Sequence, residues 1–244
     1  MIDAEIVQKD NFRILKSLLD LFFPPSCPIC EEGRNDGICP SCMAGVRLIR
    51  SPLCSLCGLP FSSPVSLDHL CGDCMKHRKA FSVARSAGTY EGKLLEAIHL
   101  LKYKGKTAIA RPLGALLAHV IDGRSYDIIT PVPLHRKRLR ERGFNQSLLL
   151  ARGVAKRLKV PVDYLNLKRI RATTPQINLS GNERRVNVRK AFEVGNGVVF
   201  SGKRVLLIDD VYTTGATVSE CSKALEKAGA REIGVLTLAR VVNL

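Results

Sequence analysis

Two sets of residues in this chain have the types and spacing of working chemistry. The first is "VLLIDDVYTTGATVSEC", residues 205–221. Four apolar residues, Val205 to Ile208, run into adjacent carboxylates, Asp209 and Asp210, and then into the small run Thr213, Thr214, Gly215, Ala216 and Thr217. Backbone N–H groups at the start of a helix bind phosphate, and a glycine lets the backbone close around it. Threonine hydroxyls add donors, and the two carboxylates suit hydroxyl groups or a divalent cation.

The second set is the cysteines. Eight of the nine lie between Cys27 and Cys74, as the CxxC pairs Cys27/Cys30, Cys39/Cys42, Cys54/Cys57 and Cys71/Cys74. Each pair contains or adjoins Gly, Pro or Asp, the residues of a tight knuckle. One knuckle brings two thiolates onto a metal and two knuckles complete a four-thiolate zinc site, so the count predicts two structural zinc ions. Sequential and interleaved pairings both satisfy the spacing. His69 and His77 flank the last pair and read as bystanders, and Cys221 reads as a small buried residue.

Other readings fit less well. A nucleotide-hydrolase reading of "VLLIDD" needs a GxxxxGK[ST] partner, which the chain lacks. A dehalogenase-type nucleophile needs alternating acids, and Val211 follows the pair. A structural turn needs neither both acids nor five small residues. A redox CxxC would be one pair beside a βαβ unit rather than four in series.

These residues need elements to hold them. "RVLLID" predicts a buried strand ending at the acids, and "TVSECSKALEKAG" a helix closed by Gly229. Around them "FSVARSAGTY", "YDIITPVP", "PVDYLNLKRI" and "REIGVLTLAR" read as strands, while "GKLLEAIHLLKYKG", "TAIARPLGALLAHVI" and "FNQSLLLARGVAKRL" read as helices. Apolar strands separated by helices predict an α/β fold with a mostly parallel sheet. The cysteine grammar stops near residue 80. The expected organisation is therefore 1–80, an N-terminal helix plus a small cysteine-rich double zinc ribbon, and 81–244, an α/β domain. Residues 12–25, "FRILKSLLDLFFPP", have apolar residues at helical spacing and predict a helix docked on the core.

The net charge is +16, and residues 135–190 hold 16 Lys/Arg against 3 Asp/Glu. Such a concentration points to an anionic partner. The N-terminus has no secretory pattern, and no apolar run approaches the about 20 residues that cross a bilayer. A cytoplasmic location follows, where thiols stay reduced.

The strand, the acid pair and "TTGAT" together resemble the phosphoribosyl-pyrophosphate (PRPP) motif of type I phosphoribosyltransferases. Adding "LKYKGK" (101–106), "PVPLHRKRLRERGFNQ" (131–146) and "TTPQINLSGNERRVNVRKAF" (173–192) behind the cysteine segment, the whole chain resembles the ComF/ComFC family of competence proteins. The resemblance implies a type I phosphoribosyltransferase-like sheet flanked by helices. It implies that Asp209 and Asp210 contact the ribose hydroxyls, directly or with Mg2+, and that Thr213, Thr214, Gly215, Ala216 and Thr217 enclose the 5′-phosphate. It also implies natural transformation, with single-stranded DNA, a competence helicase or another uptake-machinery protein as partners, at the inner face of the membrane.

The basic run His135, Arg136, Lys137, Arg138, Arg140, Arg142 begins at the same sheet edge as Asp209 and could carry pyrophosphate or DNA, with Lys102 and Lys104 as further cations. Gln176, Arg184 and Asn187 could complete a cleft wall. Phe144, Tyr103 and Tyr212 are the aromatic residues available for base stacking. Two functions stay open: a DNA-uptake factor that binds PRPP and single-stranded DNA, and a working phosphoribosyltransferase of nucleotide salvage with an unidentified acceptor.

Overall fold

The computed structural model describes residues 26–32, 37–62, 67–121, 123–172 and 181–242. Its strands are β1 (Val83–Thr89), β2 (Ile128–Pro131), β3 (Leu167–Arg169), β4 (Phe192–Val194), β5 (Arg204–Tyr212) and β6 (Glu232–Arg240). Its helices are α1 (Pro40–Ala44), α2 (Gly72–Lys76), α3 (Gly92–Tyr103), α4 (Ala110–Ala118), α5 (Arg136–Arg142), α6 (Gln146–Leu158), α7 (Gly181–Val188) and α8 (Ala216–Lys227). Four strands form a sheet in the order β1–β6–β5–β2 with every pairing parallel, as the α/β alternation predicts. None of the described helices is long and apolar enough to cross a membrane.

Alternate side chains of a strand face opposite sides of the sheet, and here both sides are covered. On one side Leu206, Ile208, Leu236 and Leu238 pack with Leu94, Ile98 and Leu101 of α3, Leu113 of α4 and Leu150 of α6. On the other, Val205, Leu207, Ile233 and Val235 pack with Val218, Cys221 and Leu225 of α8 and with Phe200. Helices α4 and α6 cross at a glycine pair, where a Cβ on Gly114 would lie 2.8 Å from the Cα of Gly153.

Two strand expectations need correction. The "PVDYLNLKRI" run does not form one strand: Val162 makes only an isolated bridge to Ile129, and β3 pairs antiparallel with β4 outside the main sheet. Asp163 breaks the run, because its carboxylate accepts from the backbone N–H of Asn166 (3.0 Å) and from the Asn166 side-chain amide (2.7 Å). The strand "RVLLID" does not end at the acids but continues to Tyr212, because β6 keeps pairing with it through Val211↔Ala239 and Tyr212↔Arg240.

The cysteine modules pack on opposite sides of the sheet. Cys27, Ile29, Cys39, Cys42 and Val46 belong to the core of α3, α4 and α6. Cys54, Cys57, Cys71 and Cys74 join Phe81 in the core on the α8 side. The expected helix at 12–25 and the expected cleft residue Gln176 fall outside the described residues.

Candidate functional site

The end of β2 creates the site. Its last pairing sets Pro131 opposite Ile208, so from Asp209 onward β5 has a ladder partner only on the β6 side. Ligands of parallel α/β sheets lie at the carboxyl ends of the strands, and a cleft of about 870 Å³ opens there. Asp209, Asp210, Thr213 and Thr217 line it, together with Lys102, Arg138, Arg142 and Ser147.

Both carboxylates are buried and held from several directions. Asp209 Oδ1 accepts from Ser147 Oγ (3.0 Å) and from the Asp210 backbone N–H (2.9 Å), and Asp210 Oδ1 accepts from the Val211 N–H (2.9 Å). Lys102 reaches in from α3 to form an ion pair with Asp210. Burial pushes the Asp209 carboxyl up to about 6, against the opposing pull of Lys102, the Ser147 hydroxyl and Arg169. Burial pushes the Lys102 ammonium down to about 8; Asp209 pulls it back up, and the Arg142 charge adds to the depression. The acid pair is thus partly neutralised by one ammonium, in a place where a divalent cation or hydroxyl groups could take over.

The Thr213–Thr217 turn follows directly. Gly215 caps α8 with φ of 75°, a left-handed conformation suited to glycine. A second reason for glycine is steric, since a Cβ there would collide with the Tyr212 ring and hydroxyl. Thr214 Oγ1 accepts from the Ala216 N–H at 3.4 Å. Thr213 and Thr217 line the cleft at the start of the helix, whereas Thr214, Gly215 and Ala216 lie outside its lining, so an anion there would meet the two hydroxyls and the positive end of the helix.

The opposite wall is cationic and aromatic. Helix α5 contributes Lys137, Arg138 and Arg142 to the cleft, whereas Arg136 and Arg140 are exposed residues outside its lining. Lys104 and Asn187 are likewise outside the lining. Arg142 donates to Gln146 Oε1 at 2.5 Å and lies 5.8 Å over the Tyr103 ring. His99 meets Tyr103 edge-on at 5.3 Å and is hydrogen bonded to the Tyr90 hydroxyl at 3.2 Å. Of the expected stacking residues, only Tyr103 lines the cleft and is exposed, at 56%. Tyr212 is buried beneath Arg240, 4.2 Å from the guanidinium carbon, and Phe144 packs against the core.

The sequence reading missed Tyr90, His99, Ser147 and Arg169. His99, Lys102 and Tyr103 stand at i, i+3 and i+4 on one helix face, so the known Lys102 could have pointed to its two neighbours. Ser147 and Arg169 come from other elements and left no such signal.

The cysteines resolve into two clusters, Cys27/Cys30/Cys39/Cys42 and Cys54/Cys57/Cys71/Cys74, the sequential pairing. Within each, all four sulfurs lie within 4.8 Å of one another. The Cys30–Cys39 and Cys57–Cys71 sulfurs are 3.7 Å apart, close to the edge of about 3.8 Å for a tetrahedron with Zn–S bonds of about 2.3 Å. Backbone N–H groups of Cys39 and Cys71 donate to the sulfurs of Cys27 (3.4 Å) and Cys54 (3.3 Å). Burial would raise both thiols, but such donors outweigh it and lower each to about 6, whereas burial pushes their cluster partners Cys42 and Cys74 up. The donor set fits zinc, which would cross-link each module with no position open for a substrate.

A four-thiolate ribbon pair joined to a parallel sheet with an acid pair and a glycine turn leading into a helix defines a double zinc ribbon protein with a phosphoribosyltransferase-type domain. The family models agree: a double zinc ribbon domain matches residues 18–75, and a phosphoribosyl transferase domain matches residues 145–242. DNA utilization protein YhgH of Salmonella typhimurium is 36% identical over 232 residues, 91% of this chain and 100% of its own. Competence protein F of Haemophilus influenzae is 33% identical over 230 residues, 90% and 98% of the two chains. Competence protein ComFC of Bacillus subtilis is 27% identical over 224 residues, 84% and 85%. Among solved structures, an allosteric regulatory enzyme of purine biosynthesis matches 54% of this chain and 26% of its own, with 27% identity and a TM-score of 0.39. The chain belongs to the ComF/ComFC/YhgH family.

Proposed function

We propose that this protein binds PRPP with Mg2+ in the β5 cleft and single-stranded DNA along the adjoining basic wall, as a factor in DNA uptake or utilisation. One observation carries the reading: the acid pair, Thr213 and Thr217 of the loop, and the cations of α5 share one cleft. Asp209 and Asp210 would hold the ribose hydroxyls, directly or through Mg2+, displacing Lys102. The loop would take the 5′-phosphate, and Arg138 and Arg142 a second group of phosphates, from pyrophosphate or a DNA strand. The names of the relatives, which speak of DNA utilization and competence, support the DNA arm.

A second reading is favoured by the intact acid pair, whose burial is costly to maintain unless it binds something. In that reading the protein is a phosphoribosyltransferase, and the same arginines neutralise pyrophosphate as it leaves ribose C1 for an unidentified acceptor.

Fluorescence anisotropy of a labelled single-stranded oligonucleotide, with and without Mg–PRPP, tests the first. Binding that weakens with Arg138→Gln/Arg142→Gln and changes when Mg–PRPP is added is expected. No DNA binding, with intact PRPP binding, leaves the transferase reading.

A further inference from the structure

The second cysteine cluster is connected to the phosphate loop by two buried side chains that the proposed chemistry does not use. Arg240 ends β6 and Tyr212 ends β5, and the two are paired in register. The Arg240 guanidinium donates to the Cys57 carbonyl oxygen at 2.7 Å and approaches the Cys57 sulfur at 3.6 Å. It also covers the Tyr212 ring at 4.2 Å. Tyr212 in turn lies directly against Gly215, leaving no room for a Cβ at the loop's left-handed residue. Ligand sulfur, guanidinium, phenol ring and glycine therefore touch in sequence.

The chemistry gives this chain of contacts a direction. Four thiolates on one Zn2+ form a net dianion, which attracts a buried cation and accepts charge-assisted hydrogen bonds at sulfur. Stripping the metal removes that dianion and the knuckle that fixes the Cys57 carbonyl. Arg240 then loses the partners that hold it over Tyr212. Tyr212, being buried, cannot shift without moving the turn it supports. Among the described residues the first cluster makes no such contact to the turn; its residues pack with α3 and α4 on the other side of the sheet.

We propose that Arg240 and Tyr212 are positioning residues that make the phosphate loop's geometry depend on zinc at Cys54/Cys57/Cys71/Cys74. Loss of that metal loosens the Thr213–Thr217 turn and weakens phosphate binding. The ligand side of this inference rests on the PRPP reading; the coupling does not. Linkage requires the effect to run both ways, so a ligand in the loop must slow zinc loss from the second cluster.

The full-length, zinc-loaded protein is treated with a chromogenic chelator, with and without Mg–PRPP, and the two zinc ions are followed by rate. One release phase slowed about tenfold by Mg–PRPP and the other unchanged is expected, within the usual range of site-to-site coupling. Arg240→Lys keeps a cation but loses the planar fork. In that variant the slowing disappears and Mg–PRPP affinity falls about tenfold, while two zinc ions remain bound. Release phases that both ignore Mg–PRPP, in a protein that binds it, overturn the proposal. If the wild-type protein binds no Mg–PRPP, the functional reading fails separately. Hydrogen exchange at the 213–217 amides then decides: faster exchange in Arg240→Lys and in zinc-stripped protein supports the coupling, and unchanged exchange in both overturns it.

Discussion

Asp209 is buried in surroundings that disfavour its ionised form, the expected mark of a carboxylate kept for binding. Its carboxyl is raised from 3.8 to about 6 mainly by burial. The folded protein therefore holds this proton more tightly than the unfolded chain does. Its contribution to stability is full below about pH 4, declines as the pH rises, and is lost above about pH 6. Asp209→Asn removes the buried charge, at the lesser cost of an amide with fewer acceptors. The variant is expected to be about 2 kcal/mol more stable than the parent at pH 7 and no more stable at pH 4, measured by urea denaturation with zinc present. The same substitution is expected to abolish Mg–PRPP binding. A variant that is less stable at both pH values would make Asp209 an ordinary structural residue. Lys102 offers the converse case, since replacing it with Met leaves Asp210 buried without its cation. Destabilisation by about 3 kcal/mol, partly reversed by millimolar Mg2+, is expected in thermal melts.

At the scale of elements, helix α5 divides its charge between two faces. Arg138 and Arg142 are four residues apart and look into the cleft, and Arg136 and Arg140 repeat the spacing on another face. Arg138→Gln and Arg142→Gln are each expected to lower the salt slope of single-strand binding by about 0.7. Arg136→Gln and Arg140→Gln should leave it unchanged if the cleft is the binding surface; an equal loss at all four positions would place the strand on the helix as a whole. Tyr103→Ala is expected to cost about 1–3 kcal/mol of the same binding, and Tyr103→Phe much less. This division also shows what could be read in advance. The acid pair, the loop and the helix after it were legible because each is set by neighbours in sequence. The cysteine pairing and the face of α5 were not, because helical period tells which residues travel together but not which way they point. Tyr212 misled for a related reason. Expected to be available for base stacking, it is buried because β6 extends the ladder to Arg240, whose guanidinium covers its ring.

At the scale of the molecule, the two cysteine clusters lie within the hydrophobic cores on either side of the sheet rather than on an independent lobe. Zinc removal is thus expected to lower the thermal midpoint of the whole α/β core and to speed amide exchange in β5 and β6. Loss confined to residues 26–78 would show that the ribbons are ornaments on a self-sufficient domain. The charge of +16, concentrated in the middle of the chain, adds long-range attraction for polyanions that the cleft alone does not need. Fold, charge and cleft are the three grounds on which the proposed binding of a sugar phosphate beside a nucleic acid rests.

The most direct test is calorimetric titration of the zinc-loaded protein with PRPP and Mg2+, repeated with Asp209→Asn/Asp210→Asn. One-to-one binding to the parent that requires Mg2+ and vanishes in the double variant is the expected result. Absence of binding to the parent, or equal binding to both, would contradict the assignment of the acid pair and its loop as a PRPP site.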